Sequence, residues 1–398
     1  MKFYHLLAAA AALLSAVSCA PAPTSAPKAE AEPAERPLSA AAVSFNDSAR
    51  FIAGLKGRPG GPFAAHEQTP DWQAYAKGFE ETWAQFQTTQ AEPMRTFQKR
   101  TMAPLDPKGS FVFYPFSGPD VLYLTGFYPG RPTYVMVGLE PAGTLRSPAD
   151  FKLEETGTEM KDWTRGVRSI FKRSFFVTSE MDKDFRGRVA DGLLETICLL
   201  LARAGYTIEG IRHGNLSDEG AFTDFDAATA GLDAKGRPKK PMGVEVSFRL
   251  GATGETQKVY YFSKKLDTEF KSKPDLSNFL LKLGQPDTLI KSAQFIMHWP
   301  GMKDLRNQVL ETSRTILQDD TGVPFRFLKA PDWNVKVFGQ YSMPDKPFKT
   351  WYQKDLAAAF EDKATVGELG LELGYGAGRR PTSMIMARRA VLSAAATK

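Results

Sequence analysis

Residues Phe111-Val112-Phe113-Tyr114-Pro115-Phe116-Ser117-Gly118-Pro119-Asp120-Val121-Leu122-Tyr123-Leu124-Thr125-Gly126-Phe127, followed closely by Thr133-Tyr134-Val135-Met136-Val137-Gly138-Leu139-Glu140-Pro141, decide the fold. The run from Phe111 to Phe116 is short, apolar and continuous, the pattern of a buried strand. Ser117-Gly118-Pro119-Asp120 interrupts it as a turn, with Asp120 placed to cap the next element. Residues 121–127 read as a short helix and residues 134–139 as a second buried strand. Strand, Gly/Pro turn, helix and strand within about 30 residues is the size of a βαβ unit. It predicts the nucleus of an α/β sheet.

Outward from that nucleus, residues 71–86 place Trp72, Tyr75, Phe79, Trp83 and Phe86 at helical steps behind the start signal Thr69-Pro70-Asp71. Such an aromatic stripe packs a core more often than it stacks on a sugar. Further helices are expected over 161–176 and 189–204, then a strand over 206–211. The polar, glycine-rich stretch 214–241 reads as a loop or long hairpin insertion. Residues 244–250 and 257–262 flank Gly251-Ala252-Thr253-Gly254-Glu255 as a β-hairpin. Helices are expected at 276–283, 288–299, 302–318 and 351–360, and strands at 325–328 and 335–341. Leu369, Leu371 and Leu373 alternate with polar residues, and with 383–388 they predict a terminal antiparallel hairpin. The expected class is α/β: a mixed sheet with a Rossmann-like βαβ start, flanking helices and a C-terminal hairpin. One globular domain is expected over 44–398, its first part, 44–108, helical.

The chain opens with Met1-Lys2, an apolar run from Leu6 to Leu14, and the small residues Ser15, Ala16 and Ser18 before Cys19. A basic start with an apolar stretch too brief to span a bilayer describes an export signal over 1–18. Ala16-Val17-Ser18-Cys19 resembles the lipobox of bacterial lipoproteins, with Ala16 where that family has Leu. The resemblance implies diacylation of Cys19 and cleavage before it. Ala20, not an aspartate, follows the cysteine, which in enteric lipoproteins implies the outer membrane. The Ala/Pro/Ser/Glu-rich segment that follows cannot bury enough apolar surface to fold, so 19–43 reads as the lipidated cysteine and its tether. Of two cysteines, a lipidated Cys19 leaves Cys198 without a partner, in a run that predicts a buried thiol. A formal net charge of +6 on 398 residues falls far short of a nucleic-acid footprint.

Candidate chemistry starts at the strand ends. In an α/β sheet, ligands sit beyond the carboxyl ends of the strands, where Ser117, Asp120 and Glu140 fall. Glu140 resembles the acid that binds ribose hydroxyls in Rossmann-like methyltransferases and dehydrogenases. Pro119, however, stands where those families have a flexible glycine loop, and an exported domain does not meet their cofactors. No cofactor is therefore expected. Asp319-Asp320-Thr321-Gly322 contains the triplet of aspartic proteases, which need it on an apolar strand and in two copies. A helix C-terminal turn ending at Gly322 is the plainer expectation. Ser169-Ile170-Phe171-Lys172 resembles the Ser-x-x-Lys of penicillin-binding enzymes but lacks their Lys-Thr-Gly strand. His66, His213 and His298 have no metal-ligand spacing.

Arg165, Arg168, Lys172 and Arg173, with the run Lys235-Gly236-Arg237-Pro238-Lys239-Lys240, offer charge for an anionic envelope surface or polysaccharide. The combined reading is a lipid-anchored envelope protein in a non-catalytic binding or assembly role. The alternative is a hydrolase-like enzyme using Asp120 and Glu140, with Ser117, Asp319 and Asp320 as further candidates. A Rossmann-like nucleotide fold without its cofactor is more remote.

Overall fold

Alternating side chains split the chain's apolar surface between two cores, one on each face of a single sheet. Val112 and Tyr114 point to one core, Phe111 and Phe113 to the other. The same alternation separates Tyr134 and Met136 from Val135 and Val137, and Leu317 from Ile316. Strands buried on both faces must be apolar throughout, which is why they read as continuous runs. The computed structural model describes residues 36–102, 111–172, 190–233, 235–267 and 269–390. The expected export signal 1–18, Cys19 and most of the expected tether lie outside these residues, as does Arg173.

The described residues contain ten strands: β1 (Phe111–Tyr114), β2 (Thr133–Gly138), β3 (Tyr206–Leu216), β4 (Phe222–Asp224), β5 (Gly243–Leu250), β6 (Gln257–Ser263), β7 (Asp287–Ile290), β8 (Thr315–Gln318), β9 (Trp333–Gly339) and β10 (Ser383–Arg389). Their order is β4-β3-β5-β6-β2-β1-β7-β8-β10-β9. The centre, β6-β2-β1-β7-β8, is parallel throughout. Antiparallel wings complete it on both sides. The fold is thus α/β with a mixed sheet, and β1, the helix Val121–Phe127 and β2 form its parallel βαβ start.

One face carries the helices Ala40–Ile52, Pro70–Phe86, Val121–Phe127, Thr156–Lys172 and Leu194–Arg203. Ser39 caps the first of these by accepting from the Ala42 amide, so helix begins at Ala40, inside the stretch expected to be tether. Trp72, Tyr75, Phe79 and Phe86 are buried, and the aromatic stripe serves the core. Cys198 is fully buried in Leu194–Arg203, and burial pushes its thiol far above the ordinary range. The opposite face carries Asp275–Leu283, Lys303–Thr312 and Lys354–Ala359 through Leu276, Phe279, Leu305, Val309 and Leu356.

Four expectations are corrected. Residues 288–299 are not a helix: Asp287–Ile290 is strand β7, and a turn with a short 3-10 segment, Ile296–His298, follows. A four-residue apolar run cannot reveal its period, and parallel pairing to β1 and β8 decides it. The helix expected over 302–318 stops at Thr312, and Thr315–Gln318 enters the sheet as β8. Phe325–Phe327 is a 3-10 turn, not a strand. The C-terminal antiparallel pair exists, but β10 pairs with β9 and β8, not with residues 369–373. Leu369, Leu371 and Leu373 are buried without forming a ladder; the contact made nearby is a single bridge from Gly367 to Phe338.

At the amino end of the central strands a buried ion cluster holds the register. Asp287, fully buried, meets Arg131 at 2.8 Å and Arg314 at 3.2 Å, and accepts from the Thr315 hydroxyl at 2.7 Å. It joins the approach to β2, the start of β7 and the start of β8. Removing one partner of such a cluster strands the others as desolvated charges. Asp287→Ala is therefore expected to cost about 3–5 kcal/mol in urea unfolding. A loss below about 1 kcal/mol, the value for an exposed pair, would show that water reaches the cluster.

Candidate functional site

Because β6, β2, β1, β7 and β8 run parallel, the residues that follow them gather at one end of the sheet. The chain steps from β1 to β2 on one side and later returns to place β7 on the other. Beyond β1 therefore lies the crevice where open α/β sheets bind ligands. A cavity of about 470 Å³ opens there. Glu140 and Leu139 from the end of β2 line it, with Lys264 and Lys265 after β6, Phe116 after β1, and Ser292 and Gln294 after β7. Leu266, Ile296 and Met302 supply apolar wall, and Tyr375 closes one side. The volume is that of a small-molecule site.

The lip of this cavity is strained. Among the described residues, the non-glycine residues with positive φ are Phe116 (59°), Ser292 (55°), Gln294 (51°) and Phe295 (57°). The first three line the cavity, and the fourth precedes its lining residue Ile296. A left-handed conformation costs a side-chain-bearing residue roughly 1–3 kcal/mol and persists only where neighbours over-determine it. Here they do. Asp319 accepts from the Ser292 amide at 2.8 Å, Thr321 accepts from the Ala293 amide at 2.7 Å, and the Tyr375 hydroxyl donates to the Ser292 carbonyl at 2.7 Å. Gly374, with φ of 72°, lets the segment carrying Tyr375 approach, since a Cβ there would stand 2.7 Å from the Asp319 carboxylate.

The sequence candidates occupy different depths. Glu140 is on the cavity wall. Its carboxylate accepts from the Leu139 amide at 3.1 Å, and its own carbonyl accepts from the Tyr261 hydroxyl at 2.7 Å. Burial first, then the Glu140 carboxylate, drives the Tyr261 phenol well above its ordinary range, so it remains a donor. Asp120 is buried, and its carboxylate is fully engaged: by Lys291 at 2.9 Å, by the Tyr114 hydroxyl at 2.8 Å, and by the Tyr123 amide as a helix cap. Lys291 also lies 3.9 Å from the centre of the Tyr123 ring. The Ser117 hydroxyl is turned to the Gly118 and Val137 carbonyls.

Asp319 and Asp320 follow strand β8, not a helix as expected, so the triplet does stand at the end of an apolar strand. Asp319 is spent on holding the Ser292 and Thr321 amides and the Thr321 hydroxyl. Asp320 is buried with Arg380 at 3.8 Å, and burial followed by the charge of Asp319 raises its pKa to about 7. Glu140 and Asp319 thus meet around one cavity, the first on its wall and the second behind its lip. Ser117 and Asp120 are buried and are not among its lining residues, and Asp320 is turned toward Arg380. Sequence reasoning missed Lys291, Ser292 and Tyr375, because the first two fell inside an expected helix and Tyr375 between the two strands of the expected terminal hairpin.

The remaining candidates are elsewhere. His213 contacts the Gly143 carbonyl, and His66 packs between Phe51 and Phe63. His298 is held near pKa 4 by burial, then by Arg326 and Arg306. Among the described residues no group of three or more His, Cys, Asp or Glu could hold a metal. Arg165 is exposed and paired with Asp162. Asp233 organises the basic loop by accepting from the Lys235 and Arg237 amides and the Arg237 guanidinium, and Arg237, Lys239 and Lys240 border a second cavity of about 1000 Å³ beside Pro141. In sequence the chain matches no protein-family model and no curated protein.

The geometry changes what a substitution at Asp120 should do. A lone helix cap is worth about 1 kcal/mol. Asp120 also neutralises a buried lysine, so Asp120→Asn is expected to cost about 3–5 kcal/mol in urea unfolding. Combining Asp120→Leu with Lys291→Met should recover much of that loss, and equal losses in single and double variants would refute the pairing.

Asp320 sets a second expectation. Its folded pKa of about 7 lies above the ordinary 3.8, so between those values the folded chain keeps a proton that the unfolded chain has lost. Stability from this group is present at low pH and is lost as pH rises through about 7. The advantage of Asp320→Asn over the parent in Tm should therefore grow from about pH 4 to about pH 7 and level off above it. Other titrating groups are common to both proteins, and a pH-independent difference would overturn the assignment.

Proposed function

We propose that this chain is a lipid-anchored protein of the bacterial cell envelope that binds a small molecule at the carboxyl end of its parallel strands without transforming it. The observation that carries the binding reading is the coincidence of left-handed backbone with a cavity. Phe116, Ser292 and Gln294 come from two different strand ends and are held in costly conformations around one opening. Strain of that kind clusters at ligand sites, where the exact position of a wall is worth more than its relaxation.

Binding is preferred to hydrolysis because of how the acidic groups are used. A hydrolase using Asp120 needs a carboxylate able to reach a substrate, and both Asp120 oxygens are already taken by the protein. The address rests on the resemblance of Ala16-Val17-Ser18-Cys19 to a lipobox, and the basic loop at Lys239 and Lys240 suits a domain held beside an anionic surface.

Ile296→Trp tests the binding reading by filling the cavity. Aromatic fragments that bind the parent in ligand-observed NMR should lose binding to the variant while its circular dichroism stays unchanged; undiminished binding would remove the site. Mass spectrometry of the mature protein tests the address. A diacylglyceryl-modified Cys19 as first residue is expected, and an unmodified cysteine or cleavage elsewhere would sink the anchor.

A further inference from the structure

Buried carboxylates and buried lysines meet in pairs around the strand ends. Lys291 belongs to Asp120, at 2.9 Å. Lys264, although it borders the cavity, turns its ammonium to Asp275 at 2.7 Å. Asp320 faces Arg380. Among the described residues Asp319 has no such pair, but its carboxylate is used on the Ser292 and Thr321 amides and the Thr321 hydroxyl, whereas Glu140 breaks the pattern at the cavity itself. It is 8% exposed and lines the cavity, yet among the described residues no lysine or arginine comes within ion-pair distance of it. Its carboxylate accepts from the Leu139 amide, while the Tyr261 hydroxyl donates to its main-chain carbonyl, and neither contact cancels its charge.

The backbone is shaped around this group. At Gly138 a Cβ would stand 2.6 Å from the Tyr261 hydroxyl and 2.9 Å from a Glu140 carboxylate oxygen. A side chain at that position would push both groups from the end of β2. A desolvated carboxylate without a counter-charge is unfavourable, and it becomes favourable when a cation arrives in the same low-dielectric space.

We propose that the ligand supplies that cation: the cavity recognises a small organic ammonium, its charged nitrogen on Glu140 and its apolar part against Phe116, Ile296 and Met302. This rests on the reading of the cavity as a ligand site and names the class of molecule it takes. A neutral alcohol can donate to the carboxylate but leaves the charge in place. An anion is opposed by it. An ammonium satisfies both the hydrogen bond and the charge, and charge-assisted contacts of this kind are the stronger ones.

Isothermal titration with three probes that share a phenylethyl body tests the assignment: 2-phenylethylammonium, its isostere 2-phenylethanol, and 3-phenylpropanoate. The ammonium is expected to bind the parent protein roughly tenfold or more tightly than the alcohol. Glu140→Gln should erase that preference, and Ile296→Trp should weaken both. The preference in the parent protein stands as a test even if Glu140→Gln fails to fold. Equal binding of ammonium and alcohol, both sensitive to Ile296→Trp, would overturn the ammonium class and leave the cavity as a ligand site. Tightest binding by the propanoate would overturn it in favour of an anion drawn by Lys265. No binding by any probe, or binding indifferent to Ile296→Trp, would overturn the site together with its ligand.

Discussion

The buried pair of Lys291 and Asp120 is the constraint around which the functional end of the sheet is built. Neither group is tolerable alone at that depth, so the turn after β1 and the turn after β7 must meet. Asp120 is fixed in turn by the Tyr123 amide and the Tyr114 hydroxyl, which tie it to the helix Val121–Phe127 and to β1. Phe116 and Ser292, the strained residues on either side of the opening, lie within a few positions of this pair. The ion pair brings these two turns together, and Asp319 and the Tyr375 hydroxyl hold the left-handed Ser292 in place.

A second charged cluster, Asp287 with Arg131 and Arg314, works at the opposite end of the same strands. Between the two clusters the sheet is apolar on both faces, which gives it strength but no information about register. The charges supply that information. A one-residue slip of β7 would pull Asp287 from its arginines and Lys291 from Asp120 together. The strands are thus held at both ends by groups whose separation is intolerable, and the cavity sits above the end that also carries strain.

How much of this was legible in the sequence depended on how local the cause was. The βαβ start was readable because Ser117-Gly118-Pro119-Asp120 punctuates two apolar runs and the helix between them has its own cap. The hairpin of β5 and β6 was readable from the turn between them. Strands β7 and β8 were not. Asp287-Thr288-Leu289-Ile290 and Thr315-Ile316-Leu317-Gln318 are each four residues long, and Ile316 happens to continue the helical spacing of Leu305 and Val309. Pairing with distant strands, not propensity, makes them sheet. The error mattered for the site, since it hid Lys291 and Ser292 in an expected helix and put Asp319 and Asp320 at a helix end.

The sequence by itself determined the α/β class, the mixed sheet with its parallel start, and the placement of Glu140 and Asp120 after adjacent strands, because apolar runs, turn residues and caps act over a few positions. It did not distinguish a carboxylate that lines a cavity from one that is consumed in holding the fold. Only the tertiary structure decided that. It brought Lys291 from 171 positions away to neutralise Asp120, and sent Lys264 to Asp275. Glu140 was left as the buried carboxylate on a cavity wall that also carries the exposed Asp267, with no lysine or arginine in ion-pair distance of Glu140 among the described residues. The physical reason is that a buried charge is defined by what lies opposite it in space, and that partner can come from anywhere along the chain.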